Sequence, residues 1–387
     1  MYRYGQEEID AAVRAISSKK LFKINEGGQE VFHFEQELKE KFGVDYAILM
    51  TSGKAGIMSA LIGIGVGPGD EVIVPAYTYI ATAIAVTAVG AIPVIAEVDE
   101  TLTLDPEDVE RKISAHTKAI LPVHILGLPC NMDRIMAIAA AHDLYVIEDS
   151  CQADGATYHG KRLGTIGNAG AYSFNCFKII GAGEGGGMVT NDRKIFERAL
   201  IFQDSSAIAY FGNQMEDFET EQFCGLEFRV SDITGAIMRA QLQKLDSILH
   251  DLRKNRDYIM ENLAGKYRFL KYNDKDGSAA TNTCFWFDSG EEALAFKAFL
   301  AEKGYNGVRP IDTGKHVYAN WTPIMQKNGA SHPLMDPFKM EANKGLQHDY
   351  SPDMCPKSLD YMARMVYVGV NPDAQKDELD AFIRALS

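Results

Sequence analysis

Glu71-Val72-Ile73-Val74-Pro75-Ala76-Tyr77-Thr78-Tyr79-Ile80-Ala81-Thr82-Ala83-Ile84-Ala85-Val86-Thr87-Ala88-Val89-Gly90-Ala91-Ile92-Pro93-Val94-Ile95-Ala96 is the stretch on which the fold turns. Its last 25 residues carry no charge, long enough to cross a bilayer. Pro75, Gly90 and Pro93 interrupt the run, however, and Tyr77, Thr78, Tyr79, Thr82 and Thr87 place polar groups along it. It therefore reads as buried strand, helix, buried strand. A strand that is apolar on both faces belongs to a sheet covered on both sides, and this is the habit of parallel sheets.

The same alternation extends outward. Further apolar runs lie at Tyr46–Met50, Ala119–Val123, Leu144–Glu148, Ala171–Phe174 and Gly187–Thr190, and Ile92–Val98 closes the quoted stretch. Amphipathic segments at Ala55–Ile64 and Asn131–His142 lie between them, with Gly67-Pro68-Gly69-Asp70 as a turn. A mainly parallel α/β domain is expected over residues 1–245. A long helix follows from Asp232 to about Leu263, with Ser231 at its N-cap, and residues 246–387 form a smaller α+β domain entered through the polar segment Asn273–Asn282. Gln203–Cys224 mixes acidic and aromatic residues without a period. A loop of that length often serves function and is expected to border the substrate pocket.

Composition narrows the partners. The 387 residues carry a net charge of −14, which disfavours nucleic acid and anionic membrane surfaces. The N-terminal segment is charged and has no apolar signal core, so a cytoplasmic protein is expected. Six cysteines without paired spacing are expected to be reduced and mostly buried, and no metal cluster stands out.

In open α/β sheets ligands bind beyond the carboxyl ends of the strands. Reading past each run gives Ser52-Gly53-Lys54, Tyr77-Thr78-Tyr79, His124, Asp149 with Gln152, and Ser173–Lys178. Lys178 lies among Phe177, Ile179 and Ile180, and desolvation of an amine makes it a better nucleophile towards carbonyls. Asp149 at a strand end could bind a metal, act as a base or pair with a protonated heterocycle, or simply cap a helix. Ser52-Gly53-Lys54 opens a helix, whose free N–H groups suit a phosphate or simple capping. Gly181-x-Gly183-x-x-Gly186 matches a dinucleotide pattern but precedes a strand, so it is not that fingerprint.

Taken in order, Thr51-Ser52-Gly53, Pro75–Thr82, Val123-His124 with Gly127, Glu148-Asp149-x-x-Gln152-Ala153, Ser173-Phe174-x-x-x-Lys178, Gly183-Glu184-Gly185-Gly186 and Gly225-x-x-x-Arg229 resemble the DegT/DnrJ sugar aminotransferases. The resemblance implies a fold-type I pyridoxal 5′-phosphate (PLP) enzyme. The large domain would carry a mainly parallel, mixed seven-stranded sheet, and the chain would form a homodimer with shared active sites. It implies Lys178 as the residue that bonds the cofactor and moves protons, and Asp149 on the pyridine nitrogen. Tyr79 and Gln152 would lie on the two ring faces, and Gly53 and Ser173 at the phosphate. A lysine at 178, where dehydratases of the family carry histidine, favours transamination of a keto-sugar with glutamate as donor. A dehydratase or lyase on the same fold and a non-catalytic cofactor or sugar sensor are the alternatives.

Two residues depart from the family pattern, Lys54 in place of threonine and Glu227 in place of asparagine. Both fall on the phosphate pocket, where they are expected to form a charge-coupled pair across the dimer. Arg229 and Arg309 are candidates for the donor carboxylate by charge. Arg309, His316, Tyr318, Trp321 and Tyr350–Lys357 are similar to the subgroup that aminates 8-oxo-3-deoxy-octulosonate for lipopolysaccharide.

Overall fold

The chain is described by a computed structural model over residues 2–23, 29–206, 218–347 and 349–387. Strands β1 (Tyr46–Met50), β2 (Glu71–Pro75), β3 (Ile92–Ala96), β4 (Thr117–Ile120), β5 (Tyr145–Asp149), β6 (Ala169–Ser173) and β7 (Gly186–Thr190) form one sheet in the order β1-β7-β6-β5-β4-β2-β3. β2, β3, β4, β5 and β6 pair in parallel, and β7 runs antiparallel to both of its neighbours. The quoted stretch folds as read, with the helix Ala81–Ala88 between two strands whose residues are buried throughout.

The sequence reasoning misplaced some ends. β4 begins two residues earlier than Ala119 and stops at Ile120, because Pro122 has no N–H to continue a ladder. β5 and β6 are each displaced by one or two residues. Because all strands but β7 point the same way, Met50, Pro75, Asp149 and Ser173 end on one edge, and the reversed β7 brings Gly186 there too. Gly186 answers a close approach, since a Cβ on it would lie 2.1 Å from the Ser52 carbonyl carbon.

The helix Asp232–Leu263 spans 32 residues. Ser231 occupies its N-cap position, but its side chain makes no capping bond there. Leu242, Leu245, Ile248, Leu249 and Leu252 join the core beneath the large sheet. Ile259 and Leu263 instead join a second core with Phe285, Phe296, Leu300, Val366 and Phe382. That core lies against a three-stranded antiparallel sheet, β8 (Arg268–Phe269), β9 (Asn282–Trp286) and β10 (Met365–Gly369).

The polar segment 273–282 is pinned, not free. Asn273 Nδ2 donates to Pro129 O at 3.1 Å, Ala279 N to Gly127 O at 2.9 Å and Thr281 Oγ1 to Leu126 O at 3.0 Å. Its polar side chains thus serve as backbone anchors. Residues 207–217 of the long acidic-aromatic loop lie outside the described residues. Cys130, Cys284 and Cys355 are buried, whereas Cys176 and Cys224 are exposed. Among the described residues no helix is long and apolar enough to cross a membrane.

Candidate active site

The shared strand edge opens into a cavity of about 680 Å³ whose wall includes Tyr79, Gln152, Lys178, Glu184, Lys315 and His316. Lys178 is presented by the excursion between β6 and β7. Phe174 N donates to Gly185 O at 2.8 Å, Cys176 N to Gly183 O at 3.0 Å and Lys178 N to Asn175 O at 3.0 Å, so the loop is closed at its base. Ile179 and Ile180 are buried, as their apolar character requires, but Phe177 is 88% exposed. The expectation that apolar neighbours enclose the lysine on both sides therefore holds on one side only. In an irregular loop successive side chains diverge, and Lys178 ends half-buried on the cavity wall.

Asp149 ends β5 and is buried. Its Oδ1 accepts from Cys151 N at 3.1 Å and its Oδ2 from Thr82 Oγ1 at 2.8 Å, while Thr82 Oγ1 lies 2.8 Å from Thr78 Oγ1. The carboxylate is thus fixed by one backbone donor and one hydroxyl relay. Thr82 was missed as a site residue by sequence reasoning. Two hydroxyls four residues apart in an otherwise apolar segment were the available signal. Gln152 Oε1 accepts from Leu126 N at 2.9 Å, which orients the amide at the cavity wall.

Adjacent strand residues point to opposite faces, and Glu148 therefore turns away from Asp149. It collects the N–H groups of Gly164 (2.8 Å), Ile166 (2.7 Å) and Gly167 (2.7 Å). His124 Nδ1 accepts from Cys130 N at 3.1 Å, so its other nitrogen, Nε2, carries the proton shared with Glu148 at 3.1 Å. His124 belongs to this buried network and not to the cavity, contrary to its expected place in the crevice.

Ser52 is the N-cap of the helix Gly53–Gly63, its Oγ accepting from Ala55 N at 3.1 Å. A Cβ at Gly53 would lie 2.5 Å from Cys151 Sγ and 3.0 Å from Ser173 Cβ, so the absence of a side chain lets the helix start pack closely against β6. Ser173 is buried beside it. Lys54 is exposed, and Glu227, also exposed, pairs with Arg229 Nη2 of its own chain at 3.1 Å. Phe228 O accepts from Thr51 N at 3.0 Å, which brings the Glu227 segment beside the same turn.

From the C-terminal part, Gly314–Tyr318 docks along the Tyr79 segment. Thr78 N donates to His316 O and Ile80 N to Lys315 O, both at 3.0 Å, and Tyr318 N donates to Ala76 O. The His316 ring lies 5.4 Å from the Tyr79 ring. Burial, with the positive charges of Lys178 and Lys315, holds its imidazole below the usual value and so favours the neutral form.

Other sequence candidates do not line this cavity. Tyr318 is buried, its hydroxyl donating to Pro352 O at 2.7 Å and accepting from Cys355 N at 2.9 Å. Arg309 grips Asp312 at 2.9 and 3.1 Å and Gly290 O at 3.0 Å. Arg229 donates to Asp204 O at 2.7 Å.

A helix start beside the buried Ser173, an anchored buried carboxylate and a cavity lysine fit PLP, and the α/β fold is that of the fold-type I enzymes that use it. Residues 3–310 match the DegT/DnrJ/EryC1/StrS aminotransferase family, and the chain belongs to it. It is 36% identical to the GDP-perosamine synthase of Escherichia coli O157:H7 over 319 residues, 81% of this chain and 83% of that protein. It is 33% identical to the dTDP-3-amino-3,6-dideoxy-α-D-galactopyranose transaminase of Aneurinibacillus thermoaerophilus over 321 residues, 82% and 85% of the two chains. An aminotransferase structure from Psychrobacter cryohalolentis superposes with a TM-score of 0.82 at 27% identity, covering 100% of this chain and 97% of that one. The chain is a PLP-dependent sugar aminotransferase.

Proposed function

We propose that the enzyme transfers the amino group of glutamate to the carbonyl carbon of 8-oxo-3-deoxy-octulosonate, and that it works in the cytoplasm as a homodimer with shared active sites. The observation that carries the substrate assignment is the charge on the cavity wall. With Lys178 committed to the cofactor, Lys315 is the cation left on the wall, beside Glu184 and a His316 held towards its neutral form. A sugar acid brings one carboxylate, and Lys315, exposed at the wall, is the group proposed to meet it.

When bound, PLP supplies an electron sink and carries the amino group between the two half-reactions. In this reading Lys178 Nζ would hold the cofactor, and its free amine would take the proton from the donor α-carbon and hand it on to the cofactor carbon that receives the nitrogen. Asp149 holds the proton on the ring nitrogen. Thr82 and the Cys151 N–H keep that carboxylate oriented. Gly53, Ser173 and the N–H groups at the helix start hold the phosphate, with Lys54 beside them and Glu227 of a second copy completing the pocket. Tyr79 and Gln152 would bound the ring. Arg229, off the cavity wall and engaged by Glu227 and the Asp204 carbonyl, is given no donor-carboxylate task. Arg309, already neutralised by Asp312, is given the supporting task of fixing the small-domain edge, and Tyr318 that of anchoring the His316 segment.

The test is a substrate panel with glutamate as donor, following 2-oxoglutarate release. Faster amination of the eight-carbon sugar acid than of GDP- and dTDP-linked keto-sugars is expected. The reverse order would reassign the substrate to the nucleotide-linked class.

A further inference from the structure

We propose that Tyr2, Asn282, Tyr367 and Gly369 form the subsite for the hydroxyl-bearing carbon chain of the keto-sugar, with Tyr2 as a specificity-determining wall. The assignment rests on Lys178 bonding the cofactor at the wall of the same cavity, and it does not depend on which keto-sugar is the acceptor.

All four residues line the cavity that holds Lys178. Asn282 of β9 pairs with Gly369 of β10, and Cys284 with Tyr367, so strand alternation puts these residues on one face of the small sheet. That face looks towards the large domain, whose core Cys284 and Met365 join, while Phe285 and Val366 turn to the second core. Asn282 Nδ2 donates to Thr281 Oγ1 at 2.9 Å and Thr281 Oγ1 to Leu126 O at 3.0 Å, which fixes the amide. Among the described residues no donor meets its Oδ1. Burial raises the Tyr367 phenol to about 12, so it keeps a proton to donate. A Cβ on Gly369 would meet nothing within 4 Å, so this rung of the sheet faces open space. One acceptor, one donor and a bare backbone position, none of them charged, suit hydroxyl groups on a carbon chain.

Tyr2 is brought to this rung by a strained neighbour. Arg3 has a φ of 52°, a left-handed conformation that a residue other than glycine holds only where its surroundings fix it. Its guanidinium donates to Asp251 at 2.5 Å, Asp373 at 2.8 Å and Ser247 at 3.0 Å, and its carbonyl accepts from Lys244 Nζ at 2.7 Å. These partners lie on the long helix and on the turn after β10, so Arg3 ties the two together. The Tyr2 hydroxyl then donates to Val370 O at 3.3 Å, one residue past Gly369. A brace between helix and sheet would be complete at Arg3. The half-buried Tyr2 ring beyond it adds cavity wall.

The experiment follows the two half-reactions of the holoenzyme separately by stopped flow, one with glutamate and one with the keto-sugar acceptor. The acceptor is 8-oxo-3-deoxy-octulosonate or a GDP-linked keto-sugar, whichever the wild type aminates faster, so that failure of the substrate assignment is read separately. G369L projects into open space without meeting the protein, and it should weaken acceptor binding roughly tenfold more than glutamate binding. N282A, which removes a hydrogen-bonding group, should do so roughly fivefold. Y2A should act in the same direction, and Y2F, which keeps the ring, should restore acceptor binding. Unchanged acceptor binding in folded G369L, or an equal weakening of glutamate, overturns the proposal. A merely structural Tyr2 would lower the thermal midpoint of Y2A and leave acceptor binding in place, which also overturns it. If K178A runs the glutamate half-reaction at the wild-type rate, the cofactor assignment itself fails, a result distinct from unmoved acceptor binding in G369L.

Discussion

Replacing Asp149 by asparagine separates a cofactor-binding carboxylate from a turn cap. The structure states what each role requires. Oδ1 accepts the Cys151 N–H at 3.1 Å, and an asparagine carbonyl can do the same. Oδ2 accepts from Thr82 Oγ1 at 2.8 Å. An asparagine NH₂ there would force that hydroxyl to accept and to donate to Thr78 instead, which its 2.8 Å separation from Thr78 Oγ1 permits. The fold therefore loses at most about one neutral hydrogen bond, ~0.5–1.5 kcal/mol, and the midpoint of thermal unfolding should fall by only a few degrees. The chemistry loses a charge-assisted bond to the protonated ring nitrogen, ~1.5–3 kcal/mol, or roughly 10- to 150-fold in rate. Stopped-flow measurement of the glutamate half-reaction, beside a thermal melt, reads both quantities. Near wild-type rates with an intact fold would show that Asp149 merely caps the turn.

Gly53→Ala ordinarily favours a helix, yet here the new Cβ meets Cys151 Sγ, so cofactor retention should weaken and Gly53→Ala with Cys151→Ala should recover it; equilibrium dialysis reads the difference. Lys54→Thr should weaken cofactor retention more than Lys54→Thr combined with Glu227→Asn, and additive effects in the double-mutant cycle would mean that the two side chains do not interact. Arg309, followed by Lys297, holds the Asp312 carboxyl at about 2. Because its folded value lies below the unfolded one, the stabilisation is complete above about pH 4 and is lost as pH falls towards 2. Acid unfolding of D312N should therefore lose part of its pH dependence in that window, an effect kept small by solvent screening.

Most strands were legible in the sequence because they are short runs of largely apolar residues bounded by turns. Asp149 could be placed from its strand end alone. The face to which each side chain turns was harder, since period-two alternation sends Glu148 and Asp149 apart and carries His124 away with Glu148. Lys315 and His316 reach the cavity through backbone pairing with residues more than 200 positions earlier, a contact no local pattern encodes. Phe177 shows the converse limit, for an aromatic in a loop need not be buried. Thr82 carries no distinctive motif of its own, and its task becomes visible only when β5 ends beside it.

The most direct test of the central assignment is borohydride reduction of the holoenzyme followed by peptide mass spectrometry. The reduced cofactor should be found on the peptide bearing Lys178, and K178A should yield none while still binding PLP non-covalently. Label on Lys54 or Lys315, or undiminished labelling of K178A, would contradict the account.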